Sequence, residues 1–144
     1  MSPPSNLRQL LHGPALWAVG LAGAAALALA AALVLQYGLG FAPCPLCILQ
    51  RWPYVVGIAA LAGGLIIGTP RVALVAAALA FLVGAGLAAY HVGVEEGILA
   101  LPGSCTAGPP ARTVAELRQM LPAAPARCDQ PSLLLGQSLA RWNL

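Results

Sequence analysis

The sequence predicts an all-α integral membrane protein, on three observations. Hydrophobic residues make up 60% of the 144-residue chain and charged residues only 8%, whereas soluble domains carry roughly 25% charged residues. Mean hydropathy is +0.84. Three long apolar runs are free of Asp, Glu, Lys and Arg, the first lying between Arg8 and Arg51. The whole of 1–144 reads as one membrane domain.

The first expected span covers about 15–37, where nearly every residue is Ala, Leu, Val or Gly, long enough for a hydrocarbon core ~30 Å thick. An N-terminal arginine and several Ala-x-Ala triplets also suit a cleaved signal peptide. The apolar core exceeds the roughly 7 to 15 residues of a signal h-region, so a retained span is expected. The second span, about 53–68, is short, and the third covers 72–90. Arg71 punctuates the tight Gly68-Thr-Pro-Arg turn between them. Gly64 and Gly68, four apart, allow close helix-to-helix approach in lipid. Trp52, Tyr54 and Tyr90 fall at span ends, where aromatic side chains anchor to the interface.

Arg8 precedes span one and Arg71 separates spans two and three, which puts the amino terminus and that turn in the cytoplasm by the positive-inside rule. Arg51, Arg112, Arg118 and Arg127 then lie outside, the last three partly balanced by Glu95, Glu96, Glu116 and Asp129. The seven basic residues are all arginine and widely spread, so no stripe exists to track a nucleic-acid backbone. The outer loop, about 91–130, is rich in Pro and Gly. Within it Thr113-Val-Ala-Glu116 has the form of a capping box, and Val114, Leu117, Met120 and Leu121 recur at helical spacing. A short amphipathic helix is expected there, resting in the membrane interface or on its own loop.

Cys44 and Cys47 follow span one, and Cys105 and Cys128 follow span three. An odd number of crossings precedes each pair, so all four emerge on one side. Four cysteines allow three disulfide connectivities, and an even number on the outer face suits an oxidising compartment such as the bacterial periplasm. In Cys44-Pro-Leu-Cys47, Pro45 suits a first helical position and makes Cys44 a cap, where free backbone amides stabilise a thiolate. In that register Arg51 lies one turn beyond Cys47 and favours its thiolate. Pro53 either kinks that helix or marks its true start, which would weaken the alignment.

Several chemistries compete for the cysteines. Structural zinc prefers two close pairs, unlike Cys105 and Cys128, so no metal is expected. Covalent haem requires His after the second cysteine, and position 48 is Ile. A thioredoxin-like site needs alternating strands and helices, which these spans do not supply. Inert structural disulfides remain an alternative. Redox exchange is favoured because the close pair sits at the membrane surface, within reach of a lipid-soluble acceptor.

Cys44-Pro-Leu-Cys47 followed by Arg51, a third span ending in Tyr90-His91 and a later loop carrying Cys105 and Cys128 resembles the DsbB (disulfide-bond formation protein B) family of quinone-linked membrane thiol oxidases. The likeness covers about 10–144. Vitamin K epoxide reductase-like enzymes place their loop cysteines before the Cys-x-x-Cys, an order unlike this one. The resemblance implies a helical bundle in the bacterial inner membrane, with its redox cysteines on the periplasmic side. It implies that a periplasmic DsbA-type thiol oxidase attacks Cys105 and frees Cys128, that Cys128 exchanges with Cys44, and that Cys47 donates to ubiquinone or menaquinone while Arg51 polarises the quinone. His91 would bind a quinone oxygen or shuttle a proton, or it merely anchors the helix end beside Tyr90.

The family's fourth span should follow Cys128. Residues 131–144 are too few to cross a bilayer and include Arg141. They resemble the start of that span cut short, so either the sequence is truncated or three spans suffice, with self-association one way to achieve this. A non-enzymatic alternative is a polytopic assembly or transport subunit braced by disulfides. Transporters usually carry ionisable groups within their spans, and the three expected spans contain none.

Overall fold

A computed structural model describes residues 13–105, 113–115, 126–130 and 133–144. Three helical stretches are long and apolar enough to cross a membrane: Pro14–Gly38, Pro45–Ile66 and Pro70–Glu95. The first is helix α1 (Pro14–Leu33), opened by a proline at its start and continued by a wider π-turn over Val34–Gly38. The second is broken. Helix α2 (Pro45–Leu49) ends at Gln50 and α3 (Arg51–Ile66) follows at once. Pro53 explains the break, because a proline nitrogen cannot donate to the Leu49 carbonyl one turn back.

Helix α4 (Pro70–Glu95) is reached through Gly68, whose φ of +77° is a left-handed conformation suited to glycine. The Thr69 amide donates to the Gly64 carbonyl at 2.7 Å, which closes α3 as a Schellman cap. Gly68 therefore serves the turn; a side chain added there would meet nothing within 4 Å. Gly64 is the packing glycine of the pair, since an added Cβ would strike Ala73. Helix α4 runs past the expected boundary at residue 90, carrying His91 and Glu95 on helical backbone. Gly97 (φ +72°) ends it in the same way, with the Ile98 amide donating to the Gly93 carbonyl at 2.9 Å.

The described chain divides into two units. One contains residues 13–35 and Arg51–Gly84. Its core is Ala18, Leu61, Ala73 and Ala77, with Ala22, Leu65, Leu74 and Phe81 packed around it. Small residues thus face inward while Trp17, Leu27, Val72 and Leu82 are exposed. That pattern suits lipid as the surrounding solvent, where close backbone approach replaces the hydrophobic effect as the packing force.

The second unit holds Gln36–Gln50 and Ala85–Leu144. Cys105 ends a short 3-10 turn, Gly103–Cys105. The described tail is not helical from its start. Strands β1 (Leu133–Leu134) and β2 (Gln137–Ser138) pair antiparallel around Leu135-Gly136, both with positive φ, the conformation of a two-residue hairpin turn. A single turn, α5 (Leu139–Trp142), follows, capped by Ser138. Arg141 pairs with Glu96 and the Trp142 indole donates to the Leu134 carbonyl at 3.1 Å. Beyond Ala115, the amphipathic helix expected at Thr113–Leu121 lies outside the described residues.

Candidate functional site

The second unit gathers all four cysteines. Cys44 caps α2 with extended backbone (φ −74°, ψ 164°), and its sulfur accepts the Cys47 backbone amide at 3.1 Å. Pro45 at the first helical position makes this cap inexpensive, because its missing donor would have been unpaired in any case. Cys44 is buried and Cys47 half-buried, and both are thiols. Cys105 and Cys128 form a disulfide with Cα atoms 5.4 Å apart. Cys44, Leu46, Val94, Cys105 and Cys128 make one buried cluster, against which Cys47, Tyr90, Leu101 and Ala126 pack.

His91 closes this cluster from α4. Its Nε2 lies 3.6 Å from the Cys44 sulfur and 3.7 Å from a Glu95 carboxylate oxygen. The Cys128 backbone also bonds to the ring. On the far side, the Gln50 amide nitrogen contacts His91 Nδ1 at 3.2 Å and donates to the Leu87 carbonyl at 3.3 Å. Asn143 Nδ2 donates to Gln50 Oε1 at 3.1 Å. Gln50 and His91 are both buried, so each polar atom of this chain of contacts depends on its protein partner.

The loop carrying Cys105 is tied to α4. The Tyr90 hydroxyl donates to the Ala100 carbonyl at 3.1 Å, and the Gly93 carbonyl accepts the amides of Ile98 and Leu99, both at 2.9 Å. A Cβ at Gly93 would come within 2.7 Å of Leu99 Cδ1, so the bare glycine makes room for that side chain. Arg127 clamps Asp129 at 2.9 and 2.7 Å beside Cys128. The guanidinium holds the Asp129 carboxyl below its ordinary range, and the carboxylate raises Arg127 in turn.

The hydrogen bond with Cys47 and then burial push the Cys44 thiol above its ordinary range. Charge placed on this pair therefore leaves Cys44 as the protonated partner. Donor atoms of Cys44, Cys47 and His91 all lie within 4.8 Å of one another, a set that could either ligate a soft cation or share a proton.

Cys44, Cys47, Cys105, Cys128 and His91 thus come together in one unit. Arg51 begins α3, after the break at Gln50, and is half-buried. Sequence reasoning missed Gln50 and Asn143. Gln50 left a signal: it is an amide in an otherwise apolar stretch, next to the arginine that drew attention instead.

The profile of disulfide bond formation protein DsbB matches residues 14–144. The chain belongs to the DsbB family. Among similar proteins is disulfide bond formation protein B of Herminiimonas arsenicoxydans, 34% identical over 140 residues, which are 91% of this chain and 85% of that protein. Another is uncharacterized protein RP370 of Rickettsia prowazekii, 30% identical over 124 residues, 82% of this chain and 72% of that protein. No solved structure matches. Membership in the DsbB family and three span-capable helices make this a multi-pass membrane protein of disulfide bond formation.

Proposed function

We propose that this protein is a quinone-dependent thiol-disulfide oxidoreductase that reoxidises a periplasmic DsbA-type dithiol protein. The supporting observation is that all four cysteines lie in one unit, three of them in one buried cluster with Cys47 packed against it, one pair oxidised and the other reduced. In the proposed cycle a substrate thiolate attacks Cys105 and Cys128 leaves. Cys128 attacks Cys44, breaking a Cys44–Cys47 disulfide and releasing Cys47 as a thiolate. The substrate's second thiol then resolves the mixed disulfide on Cys105. Cys105 attacks Cys128, the 105–128 bond re-forms and Cys44 leaves. The 105–128 disulfide beside two free thiols is the arrangement this last step would produce.

Ubiquinone or menaquinone would supply the two-electron acceptor. The residues present suit it: Cys47 is half-buried, and the adjacent Ile48 and Leu49 are exposed and apolar, a surface on which a quinone ring could lie. Cys47 is the proposed electron donor to that site. Arg51, four residues on, is proposed to stabilise negative charge there, and His91 to hydrogen-bond a quinone oxygen or exchange its proton. Re-forming the Cys44–Cys47 disulfide releases two electrons and two protons, so the exchange balances. The proposed setting is the bacterial inner membrane with these cysteines on the periplasmic face, and direction follows from relative reduction potentials.

The test mixes purified protein with a reduced dithiol protein and a soluble quinone and follows quinone absorbance. Loss of oxidised quinone is expected with the parent protein and not with Cys47→Ser. Unchanged absorbance with folded parent protein would defeat the oxidase reading. Equal rates in the variant would defeat the role of Cys47.

A further inference from the structure

Gln50 has no part in the exchange just described, yet it is buried and fully committed. Its amide nitrogen faces the Leu87 carbonyl at 3.3 Å, and a carbonyl can only accept, so this end of the side chain is the NH2 group. The opposite end, Oε1, accepts from Asn143 Nδ2 at 3.1 Å. That same NH2 group faces His91 Nδ1 at 3.2 Å. Nδ1 must then present a lone pair, which leaves the proton of a neutral ring on Nε2. Nε2 is the atom 3.6 Å from the Cys44 sulfur.

The other titratable groups facing the ring act in the same sense. Glu95, one turn along α4, lies 3.7 Å from Nε2 and as a carboxylate favours a proton there. Cys44 places its sulfur on the Nε2 side at 3.6 Å, and the Cys47 sulfur belongs to the same 4.8 Å group. Each of these is an acceptor when charged. Gln50 is the side chain that faces Nδ1, and the Cys128 backbone bonds to the ring as well.

We propose that Gln50 is a positioning residue, holding the His91 proton on Nε2 so that an N–H is aimed at the Cys44 sulfur as that sulfur leaves in thiol-disulfide exchange. When the Cys44–Cys128 bond breaks, Cys44 takes the electron pair, and two donors meet its charge: the Cys47 backbone amide and His91 Nε2–H. Without Gln50 the Nδ1 lone pair loses its donor, the Nδ1–H tautomer gains population against the bias of Glu95, and in that tautomer Nε2 turns a lone pair toward the sulfur, repelling a thiolate. Asn143, from the tail, completes the arrangement by occupying Gln50 Oε1. The proposal rests on the reading that Cys44 is an exchanging sulfur, but its test does not depend on quinone or on a partner protein.

Two measurements on the full chain in detergent decide it. In a His12→Gln background His91 is the remaining histidine, and nitrogen-15 NMR of the labelled ring distinguishes the tautomers; Nε2–H is expected in the parent, and a mixture in Gln50→Leu and Gln50→Met. In a Cys47→Ala background with the 105–128 disulfide intact, alkylation of Cys44 against pH reports its thiolate. The Gln50 variants should slow that reaction at neutral pH by at least about fivefold, the loss of one hydrogen bond to a charged sulfur. A parent ring protonated on Nδ1 overturns the proposal even if neither variant folds. So does a folded variant with the parent tautomer and alkylation profile. If these results hold while quinone turnover fails, the oxidase reading falls and the Gln50 assignment stands.

Discussion

Leu46 shields the sulfur cluster, and truncating it tests whether the 105–128 disulfide is reached only by opening that cluster. Cys105 is 2% and Cys128 1% exposed, and Leu46, 6% exposed, belongs to the same buried cluster. A thiol therefore has to wait for a local opening that separates the α2 segment from the disulfide. Leu46→Ala removes buried carbons and leaves a cavity, a change that costs about 2 kcal/mol at the low end of such substitutions. The low end applies because α2 is a helix of only 5 residues, whose neighbours can partly collapse. All of that cost falls on the closed state, so the opening constant rises about thirtyfold at 1.4 kcal/mol per factor of ten. The assay is reduction by dithiothreitol in detergent, quenched with an alkylating reagent and read as mass added at Cys105 and Cys128. With reclosing faster than attack, the rate tracks the opening equilibrium. Ile48→Ala is the control, since Ile48 is 48% exposed. A Leu46→Ala rate within about twofold of the parent would refute the shielding argument, because no local opening would then be limiting.

Other outcomes follow from the same structure. Gly64→Ala should lower the thermal midpoint in detergent, by overpacking against Ala73 at a cost of about 1–3 kcal/mol, while Gly63→Ala, with nothing within 4 Å, should hold or raise it through helix propensity. Iodoacetamide at neutral pH should modify Cys47 before Cys44 in the reduced pair, because Cys47 and burial push the Cys44 thiol up; peptide mapping reads the order. Asp129, held below its ordinary range by Arg127, contributes loop order that is present above the unfolded value of about 3.9 and lost as pH falls through its folded value. Reduction of the 105–128 disulfide should therefore respond to Asp129→Asn near neutral pH and cease to respond in strong acid. Arg127, raised in the folded state, contributes below its unfolded value and loses that contribution only at extreme alkaline pH.

The helices were legible because lipid demands long uncharged runs, and an uncharged run is a one-dimensional property of the chain. The Cys44 cap was legible for a similar reason, since a proline after a capping residue is a local signal. Gly64 and Gly68 show where local reading stops. Their spacing suggests a shared packing role, but one meets Ala73 and the other turns the backbone. Spacing cannot tell a close approach from a positive φ. The tail shows the same limit: an apolar Leu133-Leu134-Leu135 run reads as a starting span, and its local conformation, a hairpin turned at Leu135-Gly136, is not written in that pattern.

By itself the sequence determined three helices long and apolar enough to cross a membrane, the Cys44 cap before Pro45 and membership in the DsbB family, because each follows from the order and type of residues along the chain. Tertiary structure decided which sulfurs pack together, which pair is bridged and what surrounds His91. Gln50, His91 and Asn143 are far apart in sequence, and their hydrogen bonds exist only because α2, α4 and the tail meet. A buried proton's location is set by partners in space, and no pattern of spacing encodes which nitrogen carries it.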